Sequence, residues 1–548
     1  MATITGSEVL AQALRSQGLD TLFYLMGGPM LETEAACIKL GIRAIDHRHE
    51  QAAALAAHAW TRVTRRPGVC MGCSGPGATN LLTGIANAFT DAAPVLAIGG
   101  SSPRVYLGME AFQEIDQVAV FQPVTKWAAR IYDAKRIPDM VQTALRQATT
   151  GRPGPVYLDL PGDVLGEKVE EESITYPAPW RPAPRTLGDP GAIREAIALL
   201  GKAERPIILA GSGVWWSDGA AAFQAFVEAT GIPFYTTPIS RGLIPEDHEL
   251  AFLNARSKAF TEADVVLAVG TRFNWMVQFG RPPRFAADLK VIHVDVNPTQ
   301  LGHNRHVDVP IAGDARAVLE QLHAEAEGKI APKRYAAWTG KLRVLDAEKS
   351  AEQDKAMSND KTPIHPLRLC KEVRDFLRRD SILVVDGQEI LNFGRQAIPT
   401  FTPGHRLNSG AFGTMGVGLP FGVGAKVAKP NAQVVVLHGD GSFGINAMDI
   451  DTAVRHNIPV IVVISNNGGW TADAPWTRPL PKPGRNLGRT RYDKVAIELG
   501  AYGEMVEKPH DIRPALERAY ASGRPAVVNV MTSDQARAQT VRFSAYTT

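Results

Sequence analysis

Short runs of consecutive apolar residues alternate with longer amphipathic stretches along most of the chain. The runs 155–160, 206–210, 265–269, 291–296, 382–385, 434–437 and 459–464 are rich in Val, Ile and Leu, and most of them, such as 265–269 and 434–437, are continuous rather than alternating with polar residues. A strand with one face in water alternates, whereas a strand covered on both faces does not. The pattern therefore predicts an α/β chain whose parallel sheets are flanked by helices. Two stretches interrupt it. Residues 176–190 hold Pro177, Pro179, Pro182, Pro184 and Pro190, each fixing φ and removing an amide donor, which predicts a semi-rigid linker. Residues 324–366 are charged and poor in large apolar side chains, and read as a second, partly helical connection. Three α/β segments remain, 1–170, 190–325 and 365–548.

Composition narrows the class. At roughly 150 residues per domain, 548 residues suggest about three to four domains. With 45% hydrophobic and 21% charged residues, disorder, collagen and coiled coil are excluded as global readings. The 59 basic side chains against 56 acidic ones leave a net charge of +3, no footprint for nucleic acid or a membrane surface. No apolar run approaches the ~18 residues of a membrane span. Neither a basic-then-apolar leader nor a retention or peroxisomal address is visible, so a cytoplasmic enzyme is expected. Cys37, Cys70, Cys73 and Cys370 are too few for a disulfide framework. Cys70 and Cys73 lack the second pair that a zinc site needs, and read as packing at a strand end.

The densest chemical signal lies late in the chain. Val434-Val435-Val436-Leu437 runs into His438-Gly439-Asp440-Gly441-Ser442, and Ile461-Val462-Val463-Ile464 runs into Ser465-Asn466-Asn467-Gly468-Gly469. Ligands of parallel sheets sit beyond the carboxyl ends of the strands, so both turns face one site. Asp440 and Asn467 lie 27 positions apart, room for one crossover helix at 446–456. A carboxylate, an amide oxygen and the Gly469 carbonyl are hard ligands suited to Mg²⁺, with diphosphate oxygens and water completing the shell. Gly439 and Gly441 let the backbone, with Ser442, approach phosphates closely. Alone, Gly-Asp-Gly is also an ordinary strand-to-helix turn.

The whole string resembles the binding signature of thiamine diphosphate enzymes, and that resemblance implies a fold of pyrimidine, central and diphosphate domains. It also implies where the remaining cofactor contacts fall. In Asp46-His47-Arg48-His49-Glu50-Gln51, a short strand runs into an alanine-rich helix, and the family's glutamate on the aminopyrimidine ring falls on Glu50. Read alone, Glu50 is equally an acid favourable at a helix N-terminus. Proton sharing with a ring nitrogen needs a carboxyl group in a dry pocket. Ser74-Gly75-Pro76-Gly77-Ala78-Thr79-Asn80 resembles the family's pocket-wall turn and assigns Ser74 and Asn80 to the cofactor. Gly413-Thr414-Met415-Gly416 falls where the family places a carbonyl on the 4′-amino group, here Gly413, and a side chain beneath the bent cofactor, here Met415. Met415 is otherwise a core methionine.

Beyond the cofactor motifs, nearly the whole chain resembles the family of oxalyl-CoA decarboxylases and 2-hydroxyacyl-CoA lyases. Gly270-Thr271-Arg272-Phe273-Asn274-Trp275, residues 280–285 and residues 405–416 carry the likeness. Phe112-Gln113 stands where the decarboxylases have Tyr-Glu and the lyases Phe-Gln. The resemblance thus implies that Gln113, an amide that both donates and accepts, orients a substrate 2-hydroxyl while Phe112 packs near the acyl group. Their plainer reading is a loop aromatic and its solvated neighbour. Gly28 replaces the isoleucine of both branches and leaves room for two substituents at C2. The likeness is then to actinobacterial 2-hydroxyisobutyryl-CoA lyases.

The implied reaction is a reversible acyloin-type cleavage of 2-hydroxyacyl-CoA to formyl-CoA and a ketone or aldehyde. The implied assembly is a homo-oligomer, a dimer of dimers, whose cofactor site spans two chains. By resemblance, Arg256 and Arg406 meet the CoA phosphates. Arg537 belongs to a C-terminal flap over the CoA channel, whose plainer reading is a frayed terminus. ADP in the central domain is a further possibility of the family. Arg272 and Val294-Asp295-Val296 match that site, but Gly211-Ser212-Gly213 lacks the lysine of the family's Gly-Lys-Gly turn. Rival readings are the decarboxylase, a flavin-carrying acetolactate synthase type, and a silent assembly subunit.

Overall fold

The computed structural model describes residues 2–181, 184–470 and 484–538. Its apolar runs become the inner strands of three parallel sheets. The first has six strands in the spatial order Arg43–Asp46, Thr21–Tyr24, Gly68–Gly72, Val95–Ser101, Val156–Pro161, Trp127–Arg130. The third also has six, in the order Arg406–Leu407, Ile382–Asp386, Val434–Gly439, Ile461–Asn466, Ala526–Met531, Tyr502–Val506. Between them in sequence, Phe234–Thr236, Pro206–Ala210, Val265–Val269, Lys290–Asp295 and Val309–Ala312 form a five-stranded central sheet. Every residue of Pro206–Ala210 and Val265–Val269 is buried, as continuous apolar runs require.

Small residues fix how the first and third units meet. Helix Glu50–Thr64 is buried from Ala52 to Val63, so it has no solvent face and no amphipathic stripe. It lies against helix Gly418–Ala428, and a Cβ placed on Gly424 falls 2.1 Å from the Ala56 carbonyl oxygen. The two backbones touch, which explains the alanines of one helix and the glycines of the other. Ala53, Ala54, Ala57 and Trp60 share one core with Phe421, Val423, Val436 and Val462 of the third unit.

Two predicted segments differ from expectation. The charged connection 324–366 contains helix Ala336–Met357, whose Trp338 and Leu342 are buried in the central core. Trp338 Nε1 donates to the Pro206 carbonyl at 3.2 Å, so this helix completes the central unit, its charges forming the solvent face. The crossover helix expected at 446–456 is two helices, Asp440–Asn446 and Asp449–Arg455, the first starting on Asp440 itself. An acid in the first turn is favoured by the helix dipole. Among the described residues, no helix is long and apolar enough to cross a membrane.

Candidate active site

The third sheet brings Asp440 and the turn after Ile461–Asn466 together. Asp440 Oδ1 accepts the Gly441 amide at 2.8 Å and Oδ2 accepts the Gly468 amide at 2.8 Å, so one carboxylate ties two turns. The side-chain end of Asn467 lies 3.2 Å from Asp440 Oδ1 and 2.9 Å from the Gly469 carbonyl oxygen. With its nitrogen inward, it donates to both. With its oxygen inward, it accepts the Gly469 amide at 3.3 Å and three oxygens converge, an arrangement that a cation would relieve. One carboxylate, one amide and one carbonyl suit Mg²⁺, which keeps most of its shell for phosphate and water. Among the described residues there is no cluster of three His, Cys, Asp or Glu side chains suited to a metal. Burial pushes the Asp440 carboxyl up to about 6, against the lowering effect of the backbone amides around it. Only glycine fits at 469, where φ is +145° and an added Cβ falls 2.0 Å from the Arg485 carbonyl oxygen. Ser442 is buried, its hydroxyl engaged by His438 Nδ1 at 2.8 Å and the Gly439 carbonyl at 3.1 Å.

One strand over, Asp386-Gly387 repeats the pattern of a buried strand ending in Asp-Gly. Asp386 accepts the amides of Gly387 at 2.7 Å and Gly418 at 2.9 Å, and burial pushes it up to about 6. Sequence reasoning passed over it, although the run Val384-Val385-Asp386-Gly387 carries the signal.

At the first sheet the pocket has a different character. Glu50 opens its helix, with His49 as the cap accepting from the Gln51 amide. It is 5% exposed, and its Oε2 accepts from Asn80 Nδ2 at 2.9 Å. A Cβ on Gly77 falls 3.2 Å from Glu50 Oε1 and 2.5 Å from Cys73 Sγ, so these residues line one narrow space. Burial, and then the charge of Glu50, push the Cys73 thiol up.

Ser74 Oγ donates to Gln113 Oε1 at 2.6 Å and lies 3.5 Å from the Gly28 carbonyl. The structure thus joins Gly28, Ser74 and Gln113 on one wall. A Cβ on Gly28 meets nothing within 4 Å, whereas one on Gly27 falls 2.7 Å from Cys73 Cβ. Gln113 holds φ +59°, a strained value for a side-chain-bearing residue. Gln117, missed as a site residue, supports it: its Oε1 accepts the Gly75 amide at 2.6 Å, and its Nε2 donates to Asp159 Oδ1 at 2.6 Å.

The remaining candidates fall in different places, and one is overturned. Phe112 is 86% exposed within one chain, next to Gln113, which Ser74 holds. Arg406 is 2% exposed and donates to the carbonyls of Gly394 at 2.9 Å and Ile398 at 3.3 Å, which withdraws it from the CoA contacts. Arg537 is exposed but curls onto its own segment, donating to the carbonyls of Asp534 at 2.7 Å and Ala536 at 3.0 Å. Of the flap expected after Met531, the part from 539 onward lies outside the described residues. In the central unit, Gly211-Ser212-Gly213 is closed down on Gly270, with 2.9 Å between the Gly213 amide and the Gly270 carbonyl, and offers no cation to a nucleotide.

Arg256 has company that sequence reasoning missed. Its guanidinium and that of Arg284 each lie 5.0 Å from the Phe260 ring. Burial, followed by Arg284 and Arg395, pushes Arg256 down to about 9. Burial, followed by Arg241 and Arg284, likewise lowers Arg395. Among the described residues no carboxylate pairs with any of the three, and Arg284 donates to Ser257 Oγ at 2.9 Å.

Two glycine-ended sheets with a smaller central one between them in sequence, Glu50 at one and an Asp-Asn-carbonyl set at the other, fit the thiamine pyrophosphate enzymes, and the chain belongs to this family. Residues 4–120 match its N-terminal TPP binding domain, 193–322 its central domain and 391–530 its C-terminal TPP binding domain. The chain is 38% identical over 539 residues to a probable acetolactate synthase of Mycobacterium bovis, covering 97% of this chain and 96% of that one. It is 34% identical to human 2-hydroxyacyl-CoA lyase 1, covering 97% and 95% of the two chains. It is 33% identical to oxalyl-CoA decarboxylase of Escherichia coli K12, covering 96% and 94%. Overall similarity therefore does not single out the CoA branch.

Proposed function

We propose that this protein is a thiamine diphosphate- and Mg²⁺-dependent carbon–carbon lyase. It cleaves 2-hydroxyacyl-CoA, with 2-hydroxyisobutyryl-CoA as first candidate, to formyl-CoA and a ketone or aldehyde, and joins them in reverse. The observation that carries this reading is the group of Arg256, Arg284 and Arg395 without a carboxylate partner. Like charges gathered without compensation favour a polyanion, and the phosphates of CoA are one. The small keto acids joined in acetolactate synthesis carry no such handle.

When bound, thiamine diphosphate supplies a nucleophilic carbon that accepts the acyl group and its electron pair. The chain does the rest. Asp440, Asn467 and the Gly469 carbonyl hold the cation, and through it the diphosphate. Glu50, fixed by Asn80, would hold a proton toward the pyrimidine ring, and Gly413 and Met415 would line the side of the site that takes the cofactor's amino group and underside. Gln113, held by Ser74, takes the substrate 2-hydroxyl, a contact that a decarboxylase substrate lacks. The open side of Gly28 accommodates the second substituent at C2. A second copy of the chain covers this site: exposed Met26, Met109, Phe112 and Phe412 flank the segments carrying Gly28, Gln113 and Gly413.

The test is mass detection of products after incubating the holoenzyme with a substrate panel. Formyl-CoA and acetone from 2-hydroxyisobutyryl-CoA are expected. Acetolactate from pyruvate, or formyl-CoA from oxalyl-CoA alone, would replace this reading by one of its rivals.

A further inference from the structure

The segment from Arg406 to Met415 crosses the junction of all three units, and side chains of the other two grip its backbone. Arg62, 1% exposed on helix Glu50–Thr64, donates to the Asn408 carbonyl at 2.6 Å and the Arg406 carbonyl at 3.2 Å. Asp91, also 1% exposed, ends helix Pro76–Thr90 and accepts from Arg62 Nη1 at 3.3 Å and from the Ala411 amide. Gly410 has φ +61°, and an added Cβ falls 2.0 Å from Asp91 Oδ1, so the segment is pressed onto the carboxylate. From the central unit, Trp275 Nε1 donates to the Ala411 carbonyl at 2.9 Å and Trp215 Nε1 to the Arg62 carbonyl at 3.0 Å. The backbone is thus pinned from 406 to 411. Gly413 faces open space: an added Cβ there meets nothing within 4 Å.

We propose that Asp91 and Arg62 are positioning residues, a clamp that sets where Gly413 and Met415 stand against the cofactor. The inference rests on the reading of Gly413 and Met415 given above. Beyond Met415 the chain is held again, Asn446 donating to the Gly416 carbonyl at 2.7 Å and Asp386 accepting the Gly418 amide at 2.9 Å. The clamp thus sets one end of the short span 412–415, and misplacement of about 1 Å near reacting atoms costs on the order of 10²-fold in rate. The buried pair is also structural, since removing one partner leaves an uncompensated charge. The two roles separate when both charges are removed together. Neutralising the pair restores packing but not the grip on Asn408 and Arg406.

The experiment compares holoenzymes carrying Asp91→Asn, the double change Asp91→Asn with Arg62→Met, and Met415→Ala. Turnover, the KM for thiamine diphosphate, the near-UV circular dichroism of the bound cofactor and the thermal midpoint are measured on each. Expected is a loss of roughly tenfold or more in kcat for all three, with cofactor KM near wild type because the cation site is untouched. The circular dichroism of the bound cofactor changes, and the double variant regains thermal midpoint without regaining turnover. Wild-type kcat in the double variant, or kcat loss that merely follows the midpoint, overturns the clamp. If Met415→Ala loses turnover and Asp91→Asn does not, the clamp alone falls. If Met415→Ala keeps full turnover, the reading of Met415 falls and the clamp with it.

Discussion

Numbered along the chain, the six strands of the first and third sheets run in the same order, 2-1-3-4-6-5. In both, the third strand opens into a glycine-bearing turn and a helix: Gly68–Gly72 into Ser74-Gly75-Pro76, Val434–Gly439 into Asp440-Gly441-Ser442. The difference lies in where each frame keeps its acid. In the third sheet Asp440 stands on the turn itself, beside the Asn467 amide and the Gly469 carbonyl, so a carboxylate, an amide and a carbonyl meet at the strand ends. In the first sheet the equivalent turn is uncharged. Its carboxylate, Glu50, comes from the helix after the second strand and meets an amide, Asn80. On the proposed reading, the first arrangement would suit a cation and the second a proton donor or acceptor, so that moving a single carboxylate separates the duties of two like frames.

The largest expected effect breaks the charged end. Asp440→Ala removes the only carboxylate from the oxygen cluster, and calorimetric titration should show Mg²⁺-dependent cofactor binding lost; unaltered affinity would remove Asp440 from the metal site. Next comes the arginine group, where Arg256 and Arg284 of the central unit meet Arg395 of the third. Arg395→Ala should raise the KM for the CoA substrate about 10–100-fold, the worth of one charge-assisted hydrogen bond of about 1.5–3 kcal/mol, and leave kcat nearly unchanged. An equal fall in kcat would place Arg395 at the chemistry instead.

Within the uncharged pocket, Gly28→Ile should shift the ratio of specificity constants away from 2-hydroxyisobutyryl-CoA toward linear substrates by about 1–3 kcal/mol. An unchanged ratio would show that the open side of Gly28 faces away from the acyl group. The smallest effect is one of pH. Burial raises the Asp440 carboxyl to about 6 without the metal, and a proton and Mg²⁺ compete for the same oxygens. Metal affinity should therefore be full above that pH and fall up to about tenfold per unit below it. Constant affinity from pH 7 to 5 would argue that Asp440 is not a ligand.

Much of this was legible in the chain because it is local. Unbroken apolar runs such as Val265–Val269 allowed one interpretation, and Gly439-Asp440-Gly441 with Asn467 is a dense string on adjacent strands. What failed depends on packing between distant segments. Arg406 looked like a surface cation, yet its short edge strand faces the carbonyls that end helix Glu389–Ala397, and it is consumed there. Arg284 and Arg395 lie 28 and 139 positions from Arg256 and share no motif with it. The clamp of Asp91 and Arg62 requires three units to meet, and the repeated strand order leaves no repeat in the residues.

The central claim is that the two frames carry separable duties, and Glu50→Gln tests it most directly. The variant keeps an oxygen to accept from Asn80 but cannot share the pyrimidine proton as a carboxyl group does. Thiamine diphosphate is titrated into it in the presence of Mg²⁺, and turnover is measured on the same preparation. The account predicts wild-type affinity with turnover reduced by about 10²–10⁴-fold, the usual worth of a positioned acid–base group. Near-normal turnover, or turnover restored by saturating cofactor, would contradict it.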